Sequence, residues 1–317
     1  MLTSTSQHTL KSSLTLIGVG LHSGINTVIT VEPAPASTGI VFIRTDIKDR
    51  DNAVPAKWDH VVDTRLCTVL ANKAGVTVST VEHLLSACAA MGLDNAVVQI
   101  DGPEVPIMDG SAQKFVAAIE RAGLTKQRAA RKVLRIKKTV SYQEGEKEVF
   151  LSPADSQYFG FEISFPSPAI GRQKFTLHFK EDNYRADVAP ARTFGFLHEV
   201  EALRKMGLAR GGSLDNAIVI DGDKVLNPGG LRFKTEFVRH KVLDAIGDLY
   251  LAGCQLFGHY HGVKAGHAMN NKILHVLFSQ PDAFEIVDMV PQAAPHRQPV
   301  AAGRVYGEAE LPVAVTA

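Results

Sequence analysis

The stretch Leu93-Asp94-Asn95-Ala96-Val97-Val98-Gln99-Ile100-Asp101-Gly102 returns later in the chain as Leu214-Asp215-Asn216-Ala217-Ile218-Val219-Ile220-Asp221-Gly222. A Met-Gly-Leu precedes each copy, at 91–93 and at 206–208. In both, an Asp-Asn turn opens a β-branched run that ends in Asp-Gly, which reads as a strand entering a glycine turn. A helix-like pattern leads into each copy, at 80–91 and 193–206, and another follows, at 112–122 and 235–251. Two diverged copies of one unit, each with strands and paired helices, is the economical reading. The same local pattern also arises without duplication, because Asp-Asn ahead of a β-branched run is ordinary turn-to-strand chemistry. Further strands are expected at 27–31, 132–142, 148–152, 158–165 and 174–179. The fold class is α+β, with strands outside and helices facing one another.

At 317 residues the chain is too long for one ordinary core. It suggests two domains of about 120–170 residues each. The basic, weakly apolar run Lys126-Gln127-Arg128-Ala129-Ala130-Arg131-Lys132 reads as a linker, dividing 1–128 from 129–300. Residues 301–317 are rich in Ala, Val and Pro and read as a loose tail. A net charge of +1 gathers neither nucleic acid nor an anionic membrane. No apolar run approaches a membrane span, and the N-terminus has no signal-peptide pattern. Cys67, Cys88 and Cys254 are few, odd in number and widely spaced, as in a reducing cytoplasm. None sits in a C-x-x-C, which argues against sulfur ligation of a metal.

Three separated segments carry the chemistry. His240, Asp244 and Asp248 recur every four residues, along one edge of a helix, while Val238, Val242, Ile246 and Leu249 fall on another face. His and Asp one turn apart can grip a single ion; alone, the trio also reads as a polar surface stripe. Glu82-His83 interrupts an apolar helix that Ser79 or Thr80 can cap. Burying both side chains is costly without a partner, and a metal with its water accepts both. A satisfied core histidine is the other reading of that pair. Gly266-His267 offers one more imidazole. Two His and one Asp leave a coordination position open for water, as a catalytic zinc requires. His259 and His261, in Gly258-His259-Tyr260-His261-Gly262, read as loop residues with a weak ligand signal. The segment Gly18-Val19-Gly20-Leu21-His22-Ser23-Gly24 lacks dinucleotide-loop spacing. No role is assigned to His22, His259 or His261.

Together these segments resemble the UDP-3-O-acyl-N-acetylglucosamine deacetylases, zinc amidases that commit Gram-negative bacteria to lipid A synthesis. The resemblance runs from about residue 18 to residue 271. It rests on 18–24, 79–87, Pro106-Ile107-Met108-Asp109-Gly110-Ser111, Ala191-Arg192-Thr193-Phe194-Gly195-Phe196, 231–249 and 266–272. It implies two βααβ domains with the helices sandwiched between sheets. It implies His83, His240 and Asp244 as zinc ligands and Glu82 as general base. His267 is implied as the cation that stabilises the oxyanion and protonates the amine, with Asp248 behind it. Thr193 is implied as an oxyanion partner, Lys241 as the diphosphate contact and Phe194 as packing on the nucleotide sugar. An insert in the second domain forms an acyl passage in the family. Residues 196–214, beginning with Phe196 as a substrate contact, are where this chain can supply it.

The expected reaction is hydrolysis of the N-acetyl group of a UDP-linked, acylated amino sugar, releasing acetate. The ligand set accepts Fe(II) as well as Zn(II). A non-haem Fe(II) oxygenase is the second enzyme reading, although Glu82 beside the metal favours water activation. A nucleotide-sugar sensor is the non-enzyme reading, although it would need neither Glu82 nor His267. The expected protein is cytoplasmic and monomeric, with transient membrane contact through its lipid-bearing substrate and no stable insertion.

Overall fold

The computed structural model describes residues 4–289 of the chain; the tail expected at 301–317 lies outside them. The architecture is α+β. Six α-helices occur among the described residues: α1 (Glu82–Met91), α2 (Gln113–Ala122), α3 (Glu181–Asp187), α4 (Leu197–Lys205), α5 (Glu236–Tyr250) and α6 (His267–Phe278).

The two larger sheets follow one plan. In the first, the hairpin Leu14–Val19/Asn26–Pro33 lies antiparallel to a central strand, Ala96–Ile100. A second hairpin, Ile40–Arg44/Ala53–Pro55, lies on its other side, with Ile40–Arg44 parallel to it. In the second sheet, the hairpin Val140–Glu144/Lys147–Ser152 is antiparallel to the central strand Gln255–Val263. The hairpin Gln157–Ser164/Arg172–His178 flanks it with Gln157–Ser164 parallel. Strand Lys132–Ile136 also pairs with Gln255–Val263, and Phe284–Asp288 closes that edge. Each central strand lies between two helices in sequence, α1 and α2 in one case, α5 and α6 in the other.

This pairing corrects the register of the sequence repeat. The first copy is the central strand Ala96–Ile100, but the second, Ile218–Asp221, lies in a small sheet between Phe194–Phe196 and Lys224–Val225. The Asp-Asn motif fixed a local turn, not a place in a sheet. Asn95 Oδ1 accepts from Gly39 N across the first sheet, whereas Asn216 Oδ1 accepts from the nearby Ser213 N.

Four other expectations change. The segment 126–132 is no linker: Leu124–Ala130 is a strand paired with Ser6–Leu10, and Arg131 is fully buried. Its guanidinium donates to Asp94, Gly92 O and His8 Nδ1, which offsets the cost of burying the charge. Residues 132–142 form two strands, not one. The helix expected at 193–206 starts only at Leu197, because Phe194–Phe196 pairs parallel with Ile218–Ile220. His259 and His261 lie in a strand; the glycines around them hid its alternation.

Helices α1 and α5 pack on each other, and α5 also packs on the second sheet. All ten residues of α1 are buried. It ends where Gly92 turns left-handed (φ 69°), with Leu93 N donating to Cys88 O. At the α1–α5 crossing, a Cβ on Gly247 would stand 2.0 Å from Glu82 O. The absent side chain lets the two backbones touch where both helices carry their polar residues.

Candidate functional site

Helix α1 delivers Glu82 and His83, and α5 delivers His240, Asp244 and Asp248. Neither Ser79 nor Thr80 caps α1. Val81 precedes it in helical conformation, and Thr80 Oγ1 donates instead to the buried carboxylate of Glu104, 2.9 Å away. Glu104 also accepts from His22 N and Ser23 N, so it pins the 18–24 loop beside α1.

His83, His240 and Asp244 are buried and offer ligand atoms within 4.8 Å of one another. Asp244 Oδ1 lies 3.6 Å from His83 Nε2 and 3.3 Å from His240 Nε2. His240 Nδ1 donates to Ala191 O at 3.0 Å, which leaves Nε2 with its lone pair facing the group. Burial drives His240 down to about 3, so its imidazole is neutral at pH 7. Burial alone would raise the Asp244 carboxyl, but His240 and Lys241 outweigh it and hold the group well below the usual range. Asp244 Oδ2 accepts from Lys241 Nζ at 2.9 Å, while Asp244 Oδ1 and His83 Nδ1 are buried without a hydrogen-bond partner. An orphaned carboxylate oxygen facing two imidazoles is the donor set of a cation site.

Beside this trio stands an acid–base pair. His267, at the start of α6, donates from Nδ1 to Asp248 Oδ2 at 2.8 Å, and its Nε2 lies 3.7 Å from Glu82 Oε1. Burial opposes charge on His267, but Asp248 and Glu82 outweigh it and raise the imidazole to about 9. Burial raises Glu82, with His267 and His83 drawing it back. Two residues outside the expected set hold the pair in place. Thr68 donates from Oγ1 to Asp248 Oδ1 (2.6 Å) and from its backbone N to Glu82 Oε2 (3.1 Å). Asn270 donates to Asp248 Oδ2 (2.8 Å) and accepts from Tyr260 Oη. Nothing in the local pattern around Thr68 marks it, whereas Asn270 lies inside the 266–272 segment.

A polar cavity of about 100 Å³ opens onto Glu82, His83, His240, Asp244 and His267, with Thr193, Phe194 and Lys241 on its wall. An apolar cavity of about 400 Å³ adjoins it through Leu66, Thr193 and Phe194 and runs along α4, past Leu197, Val200 and Leu203. Phe196 lines neither; its ring packs on Phe165 and His198. Phe194 shares its strand face and its contact with Phe165, yet reaches both cavities. Two residues without an expected role also reach the site. His22 lines both cavities with both ring nitrogens buried and unpartnered, and burial lowers its pKa. Cys67 is a buried free thiol that burial pushes up.

Residues 7–279 match the family model described as LpxC, UDP-3-O-acyl N-acetylglycosamine deacetylase. A protein of Phenylobacterium zucineum named UDP-3-O-acyl-N-acetylglucosamine deacetylase is 52% identical over 88% of this chain and 96% of its own length. One of the same name from Acidithiobacillus ferrooxidans is 51% identical over 91% and 95%. Another from Shewanella woodyi is 45% identical over 95% and 99%.

Proposed function

The chain belongs to the UDP-3-O-acyl N-acetylglycosamine deacetylase family, and on that premise we propose that it hydrolyses the N-acetyl group of UDP-3-O-acyl-N-acetylglucosamine in lipid A biosynthesis. Water and the amide give acetate and the free amine. The observation that carries this reading is the juxtaposition of the His83–His240–Asp244 group with the Glu82–His267 pair. A metal-dependent amide hydrolase uses both, whereas a sensor needs neither. Those three residues would hold zinc, with Fe(II) as the alternative for the same nitrogen and oxygen donors. Held there, such an ion would supply Lewis acidity for the acetyl carbonyl and for an attacking water near neutral pH.

The chain's own groups supply the remaining steps. Glu82 Oε1 takes the proton from the water. His267, protonated at Nε2 and fixed by Asp248 at Nδ1, stabilises the oxyanion and then gives its proton to the departing nitrogen. Thr193 adds a hydroxyl to the oxyanion. Lys241 spends one donor on Asp244, and its ammonium has two more for a diphosphate. Phe194 packs against the nucleotide sugar. The segments 1–128 and 129–300 are taken as two domains, each with one of the larger sheets, in a cytoplasmic enzyme.

Purified protein is expected to contain one catalytic metal per chain and to release acetate from the UDP-sugar. His83→Ala and His240→Ala are expected to lose both. Full metal occupancy in either variant rejects the ligand assignment, and no acetate from metal-replete wild type rejects the activity.

The apolar cavity along α4 is proposed to take the 3-O-acyl chain. Burying even four methylenes at about 0.8 kcal/mol each corresponds to roughly 200-fold in kcat/KM. A substrate without the acyl chain is therefore expected to lose at least that much. Equal efficiency for acylated and unacylated substrates removes the passage from this reading.

A further inference from the structure

The outer face of the second large sheet carries imidazoles that the proposed chemistry leaves unused. His259 and His261 are two residues apart on one strand, so their side chains leave the same face. Tyr260, between them, points the other way and donates to Asn270 of α6. The two histidines thus stand on the face away from the active site. Phe150 lies against both rings, at 5.8 and 5.4 Å between centroids, and Tyr158 lies 6.2 Å from His259.

Three features make the pair more than a polar decoration. First, its neighbour across the sheet is Gly160, in register with His261. A Cβ there would stand 2.4 Å from His261 Nδ1 and 3.3 Å from His259 Nε2. The two nitrogens therefore border one small space that any larger residue would fill. Second, His261 Nε2 faces Glu162 Oε1 at 3.4 Å, and Glu162 is itself held by Lys174 at 2.7 Å. A carboxylate behind Nε2 keeps the proton there and leaves the Nδ1 lone pair toward the space, the arrangement that orients ligating histidines. Third, His259 Nε2 is buried without a hydrogen-bond partner. A buried polar atom left unsatisfied is costly, and a ligand removes that cost. Burial also lowers both imidazoles from their ordinary value, so they are neutral at pH 7, the form that binds metal.

We propose that His259 Nε2 and His261 Nδ1 form a second metal site for an imidazole-preferring divalent transition ion, such as Cu(II), Ni(II) or Zn(II), with water completing its coordination. Neutral nitrogen donors favour these ions over Mg(II) and Ca(II). With two protein ligands instead of three, this site is the weaker of the two.

The test adds one equivalent of Cu(II) to the full chain whose catalytic metal is already bound, and reads electron paramagnetic resonance and titration calorimetry. One Cu(II) per chain is expected, with a two-nitrogen hyperfine pattern and no loss of the catalytic metal. His259→Gln and His261→Gln are expected to abolish that pattern. Gly160→Ala does the same by filling the space. Glu162→Gln weakens Cu(II) binding by about tenfold, since it removes only the group that orients His261. All four variants should keep the catalytic metal, and His259→Gln, His261→Gln and Glu162→Gln also their melting behaviour, which shows that the fold is intact; Gly160→Ala is expected to melt lower, because its methyl crowds His261. Wild-type Cu(II) affinity and spectrum in His259→Gln and His261→Gln overturn the proposal, as does Cu(II) that appears only by displacing the catalytic metal. Neither result depends on the identity of the substrate.

Discussion

Glu82→Gln is expected to lower kcat by about 100- to 10,000-fold while leaving metal content unchanged, because it removes a positioned base and not a ligand. Gln keeps the shape of the side chain, and its amide oxygen can still accept from Thr68 N, so the fold should tolerate it. What it cannot do is take a proton from water. The pH profile divides the labour further. On the proposed chemistry Glu82 must be ionised, so catalytic efficiency is expected to rise with pH through its titration, which burial displaces upward. His267 must be protonated, so efficiency falls as pH passes the region near 9 to which Asp248 and Glu82 raise it against burial. These limbs belong to the coupled site and not to either residue alone, so variants must assign them. His267→Ala should be slow and should lose the alkaline limb. Near-wild-type activity in Glu82→Gln, or an unchanged alkaline limb in His267→Ala, would refute the acid–base assignment.

The parts of this site that the sequence reveals are those written within one helix. His240, Asp244 and Asp248 are spaced by helical turns, and Glu82-His83 interrupts an apolar run, so residue type and period place them without tertiary knowledge. The groups that hold them in place are not legible in that way. Thr68 meets Asp248 across 180 positions of chain, and Ala191 orients His240 with a backbone carbonyl that any residue would offer. The α+β class was legible for the same reason, whereas strand partners were not. An Asp-Asn turn looks alike at 94–95 and 215–216, yet one precedes a central strand and the other a strand of a small separate sheet. Glycines at 258 and 262 concealed a strand, and the basic run at 126–132 concealed one as well. Phe196 shows the finer limit. Proximity in sequence to Thr193 and Phe194 made it a substrate contact, but its ring packs on Phe165 and His198 and lines neither cavity, although Phe194 on the same strand face reaches both.

Gly247→Ala sets two principles against each other, and the geometry decides the sign. By helix propensity alone, replacing an interior glycine of α5 with alanine stabilises by about 1 kcal/mol. Here the new methyl would stand 2.0 Å from Glu82 O, 2.8 Å from its carbonyl carbon and 3.0 Å from its Cα. All three are backbone atoms of α1, with no side-chain rotamer to give way. The helices must separate, and overpacking of this kind typically costs about 1–3 kcal/mol and occasionally more. The separation also acts on function, because α1 carries His83 while α5 carries His240 and Asp244. Metal–ligand distances tolerate only about 0.2 Å, so a shift of an ångström between the helices pulls one ligand out of reach. Gly247→Ala is therefore expected to melt lower than wild type, to lose most of its catalytic metal and to retain little activity. Thermal melts with and without added zinc separate the two effects. A variant that only lost packing would keep the wild-type stabilisation by metal, whereas a spread ligand set loses it. Wild-type melting temperature and metal content in Gly247→Ala would mean that the crossing is looser than the backbone contact requires, and that the close approach of α1 and α5 does not set the geometry of the site.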